Sequence, residues 1–241
     1  MAKWIDNKTV IITGASSGIG KMLAERLMKE HGCKVIGVAR SEKKMLNFID
    51  ELGDYSKQFS YKLFDVSSYN NWQSFHDWLV ESNINPDVLI NNAGVLPRFD
   101  RLMNYSKEEI DESINIDFYS AAYSSKIMLP LLMKSGSPAI INVASSAALM
   151  ALGGTSMYSA SKAAVKGLTE AMREELRGEA YIGLVCPGFT KTDIFRNQGE
   201  TNGMDLINMV STPCDKAVNK ILKGILKKKA CLLYTSPSPR D

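Results

Sequence analysis

Between Thr13 and Gly20 the chain reads TGASSGIG, with glycines at 14, 18 and 20. The stretch follows a short β-branched run, Lys8–Thr13, and opens a segment whose apolar residues Ile19, Met22, Leu23 and Leu27 recur at helical spacing. A strand that enters a helix through a glycine turn is a strong constraint. Gly14 permits a tight turn out of the strand, and Gly18 and Gly20 permit close approach of backbone to backbone or to a ligand. The free N–H groups at the start of such a helix, with their partial positive charge, suit a phosphate.

The pattern that follows supports a layered α/β fold. Further strand-like runs lie at Lys34–Ala39, Ser60–Phe64, Asp87–Asn91, Pro138–Ala144 and Ala180–Cys186. Helical periodicity fills the gaps, over about Ser41–Leu52, Tyr69–Glu81, Ile110–Met133 and Met157–Arg177. Strands separated by helices imply a parallel sheet covered on both faces, and right-handed crossovers then give a doubly wound, Rossmann-type single domain.

Composition narrows the function. Hydrophobic residues make up 45% and charged residues 23% of the 241, ordinary globular values. A net charge of +3 is too mild to argue for nucleic acid. No run of roughly 18 uncharged apolar residues is present, so no membrane span is expected, and the N-terminus lacks a secretory signal pattern. The four cysteines show neither CxxC pairing nor metal-ligand spacing, and the two histidines, His31 and His76, lie far from each other, so no metal site is expected. These features suggest a reduced, cytoplasmic domain.

Of the nine tyrosines, only Tyr158 has a lysine four residues on, Lys162. In a helix this spacing puts both on one face, about 6 Å apart along the axis. A phenol ordinarily titrates near pH 10, and a neighbouring ammonium favours its ionised form. The ammonium is therefore expected to be one of the groups that, once a cofactor is bound, lower the phenol pKa enough to exchange a proton with a substrate oxygen.

These residues do not stand alone. NNAG at Asn91–Gly94 follows the fourth strand, Asn115 lies in the long helix after it, Ser145 follows the fifth strand thirteen residues before Tyr158, and Pro187–Gly188 follow the sixth. In this order and spacing, over about residues 8–192, the chain resembles the short-chain dehydrogenase/reductase family, with its TGxxxGxG, NNAG and YxxxK motifs. The resemblance implies hydride transfer between a nicotinamide dinucleotide and a carbonyl or alcohol substrate. It implies catalytic roles for Asn115, Ser145, Tyr158 and Lys162, with Ser145 preferred to its neighbour Ser146 on spacing. It implies nucleotide contacts from Gly14, Ser16, Ser17, Gly18, Ile19 and Gly20. Others are Asp65 and Val66 at the adenine, Asn92, Ala93 and Gly94, then Pro187, Gly188, Thr190 and Thr192 near the carboxamide. Asp65 could instead cap the helix after it. Family members commonly pair their two long helices, so a homodimer or homotetramer is expected. The irregular stretch Phe189–Thr212, with Phe195, Met204, Leu206, Ile207 and Met209, corresponds to a substrate lid or to a helix packed on its own core.

Cofactor preference is read from the end of the second strand, VIGVARS. An acid there binds the free ribose hydroxyls and repels a 2′-phosphate; a base does the reverse. No acid is present, and Arg40 stands just beyond Ala39. NADP(H) is therefore expected over NAD(H). A dinucleotide-binding sensor or scaffold without catalysis is the alternative, since the glycine turn alone would allow it.

The tail, CLLYTSPSPRD at 231–241, breaks with everything before it and resembles, codon for codon, a translated transposon-type sequencing adapter. On this reading the native domain is 1–230, the 231–241 tail is non-native, and the sheet lacks its last edge strand. The sixth strand would then be an open apolar edge.

Overall fold

The computed structural model describes residues 2–192, 194 and 211–234. Its frame is one parallel sheet: β1 (Thr9–Thr13), β2 (Lys34–Ala39), β3 (Phe59–Leu63), β4 (Val88–Asn91), β5 (Ala139–Val143), β6 (Tyr181–Pro187) and β7 (Cys231–Tyr234). The spatial order is β3-β2-β1-β4-β5-β6-β7. β1 pairs on one side with β2 and on the other with β4, so the chain reverses its winding there. Such a switch point opens a crevice beyond the carboxyl ends of the strands, where ligands of doubly wound folds bind.

Helices α1 (Gly18–His31), α2 (Glu42–Leu52), α3 (Tyr69–Glu81), α4 (Lys107–Ile114), α5 (Ser120–Leu132), α6 (Ser156–Glu175) and α7 (Cys214–Leu226) cover the sheet. Alternation along each strand divides the core in two. Val10 and Ile12 of β1 pack with Leu23, Leu27, Phe48, Val218 and Ile221 on the α1, α2 and α7 side. Ile11, between them, joins Trp72, Leu79, Met128 and Leu132 on the α3 and α5 side. A strand buried on both faces needs such an unbroken apolar run.

Two sequence expectations change. The helix expected over Ile110–Met133 is divided by a π turn, Asn115–Tyr119, between α4 and α5. The Ser120 amide reaches back to the Asn115 carbonyl, one residue further than in an α-helix. Hydrophobic periodicity carries no signal for this single inserted residue. The missing edge strand is also corrected. β7 forms from Cys231–Tyr234 and pairs in parallel with β6, Leu184 against Cys231 through Pro187 against Tyr234. An exposed edge recruits a partner through main-chain groups, so any short apolar, proline-free segment can fill it. Leu232 is buried there, against Gly224 of α7. Val218, Ile221, Leu222 and Ile225 carry the buried face of that helix.

Candidate active site

The glycine turn forms one wall of the site. Gly14 has φ +67° and Gly18 φ +53°, left-handed values that favour glycine. The Gly14 amide bonds the Val38 carbonyl at 2.8 Å, which pins the turn to β2. Gly20 leaves still less room: a Cβ there would lie 2.4 Å from the Gly14 carbonyl oxygen and 2.5 Å from Asn92 Nδ2. Asn92 is held in turn, its Nδ2 donating to the Thr13 carbonyl at 3.0 Å. Thr13 Oγ1 accepts the amides of Asn92 and Ala93, both at 2.9 Å. Thr13 thus locks the ends of β1 and β4 together, a role that no motif reading assigned to it.

α1 begins with no acidic residue in its first turn and no side-chain cap from Ser17. Its first amides therefore keep their capacity to bind an anion. The cradle and the bare helix start fit a dinucleotide diphosphate.

A cavity of about 330 Å³ runs from this wall across the strand ends. Gly14, Ser17, Gly18 and Ile19 line one end, and Asn92, Ala93 and Gly94 the floor. Ser145, Tyr158 and Lys162 line the cavity away from the turn, with Pro187, Gly188 and Thr190 also in the lining, while Thr192 stands against Gly18. Leu96, Phe99, Met150, Leu152 and Ile194 give the cavity an apolar wall. Gly20 lies just behind the wall. Ser16, Arg40, Asp65, Val66 and Asn115 are outside it, as described.

Arg40 is exposed beyond β2. Asp65 Oδ1 accepts the Ser67 amide at 2.9 Å and the Ser67 hydroxyl at 2.8 Å. It does not cap α3; Ser68 does, accepting from the Asn71 amide. Val66 is buried, and its carbonyl accepts the Trp72 indole N–H. Thr190 Oγ1 donates to the Gly188 carbonyl at 3.0 Å. Phe195, Met204, Leu206, Ile207 and Met209 of the expected lid lie outside the described residues, as do the tail residues 235–241.

Tyr158 and Lys162 share a face of α6, with Lys162 Nζ 5.7 Å from the phenol ring centroid. Ser145 follows β5, and its Oγ accepts the Ala147 amide at 3.2 Å, which leaves the hydroxyl proton to donate. The Ser145 side chain also favours the ionised form of the phenol.

The expected lowering of the phenol pKa is not met by these residues alone. Burial pushes the Tyr158 phenol above its ordinary value; Lys162 pulls it down, and the Asp117 carboxylate opposes Lys162. The lysine behaves otherwise. Burial disfavours its charge, but Asp117 and Tyr158 more than offset this and hold it above the ordinary amine value. Cys186, beneath Lys162, is pushed up to about 12 by burial and stays a neutral thiol.

A glycine cradle for a diphosphate at the switch point of a doubly wound sheet, facing a serine, a phenol and a buried ammonium, defines a nicotinamide-dependent oxidoreductase. The comparisons agree. The short chain dehydrogenase model matches residues 8–203. The 3-oxoacyl-acyl-carrier-protein reductase FabG of Vibrio cholerae is 35% identical over 191 residues, 79% of this chain and 76% of that protein. The ketoacyl reductase HetN of a Nostoc species is 33% identical over 226 residues, 93% of this chain and 77% of that protein. Among solved structures, a Sphingobium yanoikuyae short-chain dehydrogenase in complex with NADPH superimposes with a TM-score of 0.82 at 27% identity, covering 93% of this chain and 86% of that one. This chain belongs to the short-chain dehydrogenase/reductase family and is an NAD(P)-dependent oxidoreductase. Among the described residues no helix is long and apolar enough to cross a membrane.

Proposed function

We propose that the chain is an NADP(H)-dependent reductase or dehydrogenase of a carbonyl or hydroxyl carbon that bears an apolar substituent. The observation that carries this reading is the placement of Ser145, Tyr158 and Lys162 at one end of a cavity whose other end is the glycine cradle. When bound, the nicotinamide supplies the carbon that gives or takes the hydride.

The protein's own residues do the rest. Ser145 orients the substrate oxygen by donating a hydrogen bond. The Tyr158 phenol delivers a proton to that oxygen in reduction and takes it in oxidation. Lys162 keeps its charge beside the phenol and also faces the ribose side of the cavity. Gly14, Ser16, Ser17, Gly18, Ile19 and Gly20 would hold the diphosphate, and Asp65 and Val66 would contact the adenine. Asn92, Ala93 and Gly94 form the floor. Pro187, Gly188, Thr190 and Thr192 orient the carboxamide. Asn115 opens the π turn and is assigned a water-holding role behind Lys162.

Preference for NADP(H) is supported by the exposed Arg40 and the absence of an acid at the end of β2. The apolar arm is supported by Leu96, Phe99, Met150 and Leu152. Met150, 69% exposed, is a side chain a lipophilic substrate would cover.

The test is Tyr158→Phe, assayed by nicotinamide absorbance with 3-oxoacyl thioesters and other apolar ketones. Loss of roughly a hundredfold or more in kcat is expected, with NADPH binding retained. Turnover at the wild-type rate would remove the proton donor. Tight NADPH binding by the wild type without turnover of any ketone or alcohol would favour the sensor instead.

A further inference from the structure

Asp117 lies within the π turn, is 2% exposed, and presents Oδ1 to Lys162 Nζ at 3.3 Å. The same oxygen accepts the Val95 amide at 2.9 Å, and Oδ2 accepts the Ser161 hydroxyl at 2.9 Å. Three elements converge on one carboxylate: the π turn, the segment after β4, and α6. Gly94 closes the arrangement from the cavity side, because a Cβ there would come within 2.9 Å of both Asp117 Oδ1 and Lys162 Nζ.

We propose that Asp117 is a positioning residue: it fixes the Lys162 ammonium beneath Gly94 and sets how strongly that ammonium acts on Tyr158. The proposal rests on the proton-transfer role given to Tyr158 above.

Two physical arguments support it. A buried ammonium without a partner is strongly disfavoured; Asp117 is that partner while Tyr158 is neutral, and the ionised phenol is the second, so removing the carboxylate charge makes ionisation of the phenol more favourable. The two charges also act on the phenol in opposite directions, the ammonium favouring ionisation and the carboxylate opposing it. The other titratable groups facing the pair are Tyr158 on the same helix and Cys186 on β6, the latter neutral. Ser145 and Ser161 add hydrogen bonds but no charge. Burial raises the Asp117 carboxyl above its ordinary value, while Lys162, the Val95 amide and Ser161 favour its ionised form; among the described residues it is the carboxyl group that meets Lys162.

The test is the titration of Tyr158 in nucleotide-free protein, by tyrosinate absorbance taken as a difference from Tyr158→Phe. Asp117→Asn keeps the side-chain shape and removes the charge. It is expected to lower the Tyr158 midpoint by roughly half to one pH unit. The acid limb of alcohol oxidation should move the same way. Ser161→Ala, which loses a hydrogen bond and no charge, should move neither. An unmoved midpoint in folded Asp117→Asn overturns the proposal. Should Asp117→Asn fail to fold, the double variant Asp117→Asn/Lys162→Met decides. Recovery of folding shows that a stranded ammonium was the fault, and a double variant as unfolded as the single one overturns the proposal. The titration needs no turnover, so it is read even if the assigned reaction is wrong.

Discussion

Replacing Gly20 by alanine tests whether the glycine turn is built for close approach. In an exposed helix the change is favourable by about 1 kcal/mol, because alanine restricts the unfolded chain. Here the added Cβ meets the Gly14 carbonyl oxygen at 2.4 Å and Asn92 Nδ2 at 2.5 Å. Neither can move aside freely. Gly14 is tied to β2 through its amide bond to Val38, and Asn92 is tied to Thr13. Relief therefore requires the start of α1 to shift away from the sheet. Overpacking against fixed backbone costs up to about 3 kcal/mol, so the net effect is a loss of roughly 2 kcal/mol. For a domain of this size that is about 4–8 °C in Tm, read by thermal unfolding. The same shift turns the helix amides away from the diphosphate, so NADPH affinity, measured by calorimetric titration, should fall tenfold or more. Gly53→Ala is the control. Gly53 has φ +55° with nothing within 4 Å of its Cβ position. That substitution should cost roughly 1 kcal/mol of stability through backbone strain alone and leave NADPH binding unchanged. Gly20→Ala with unaltered melting and unaltered NADPH affinity would refute the close-packing argument.

Three further outcomes are expected. Arg40→Ala should lower kcat/KM for NADPH by about tenfold, the weak end for a charged contact at an exposed site, and leave NADH nearly unaffected; an unchanged NADPH/NADH ratio would reject the assignment of Arg40 to a 2′-phosphate. Asp87 accepts from Lys8 Nζ and the Thr9 amide, each at 2.9 Å, and from the Ser135 hydroxyl. Burial raises its carboxyl, but Ser135, Lys8 and Thr9 outweigh burial and hold it below the ordinary value. Its stabilisation is therefore present above the unfolded-state value and is lost as pH falls through the folded one. Asp87→Asn should cost roughly 1–2 kcal/mol at pH 7 by urea unfolding, with the gap to wild type closing below about pH 4; a gap constant with pH would contradict the linkage. Finally, we propose that residues 231–241 are the translated adapter, so that resequencing the 3′ end of the gene should give different codons after Ala230. The protein should sediment as a dimer or tetramer through its long helices, whereas native DNA encoding CLLYTSPSPRD would sink the adapter proposal.

What the sequence made legible was what local rules dictate. The strand ends fall within one or two residues of expectation: β3 runs Phe59–Leu63 rather than Ser60–Phe64, and β6 runs Tyr181–Pro187 rather than Ala180–Cys186. Ser41 does not belong to α2 but caps it, accepting from the Lys44 amide. The glycine cradle was readable because each glycine answers a backbone constraint set by near neighbours. Tyr158 and Lys162 were readable because one helical turn fixes their common face.

The parts that stayed hidden are contacts between distant segments, chosen by the fold rather than by spacing. Asn91 donates to Asn142 at 2.9 Å, Ser124 donates to Asn91, and Asn142 donates to Thr169, a buried polar chain linking β4, β5, α5 and α6. Each residue taken singly reads as an ordinary polar position; only their satisfaction of one another makes burial tolerable.

Asp117 is the sharpest case. Asp117 falls on the helix face that also carries Ser113, Ser120 and Ser124, all buried, but nothing in its spacing names the lysine it meets. Its contact changes the chemistry expected of the lysine, because the ammonium found here is shared with a carboxylate. The pair of motif residues was legible, but the strength of their coupling was not. It depends on a third charge that no motif contains, and Gly94, at the end of NNAG, leaves room for it: a Cβ there would crowd both Asp117 Oδ1 and Lys162 Nζ.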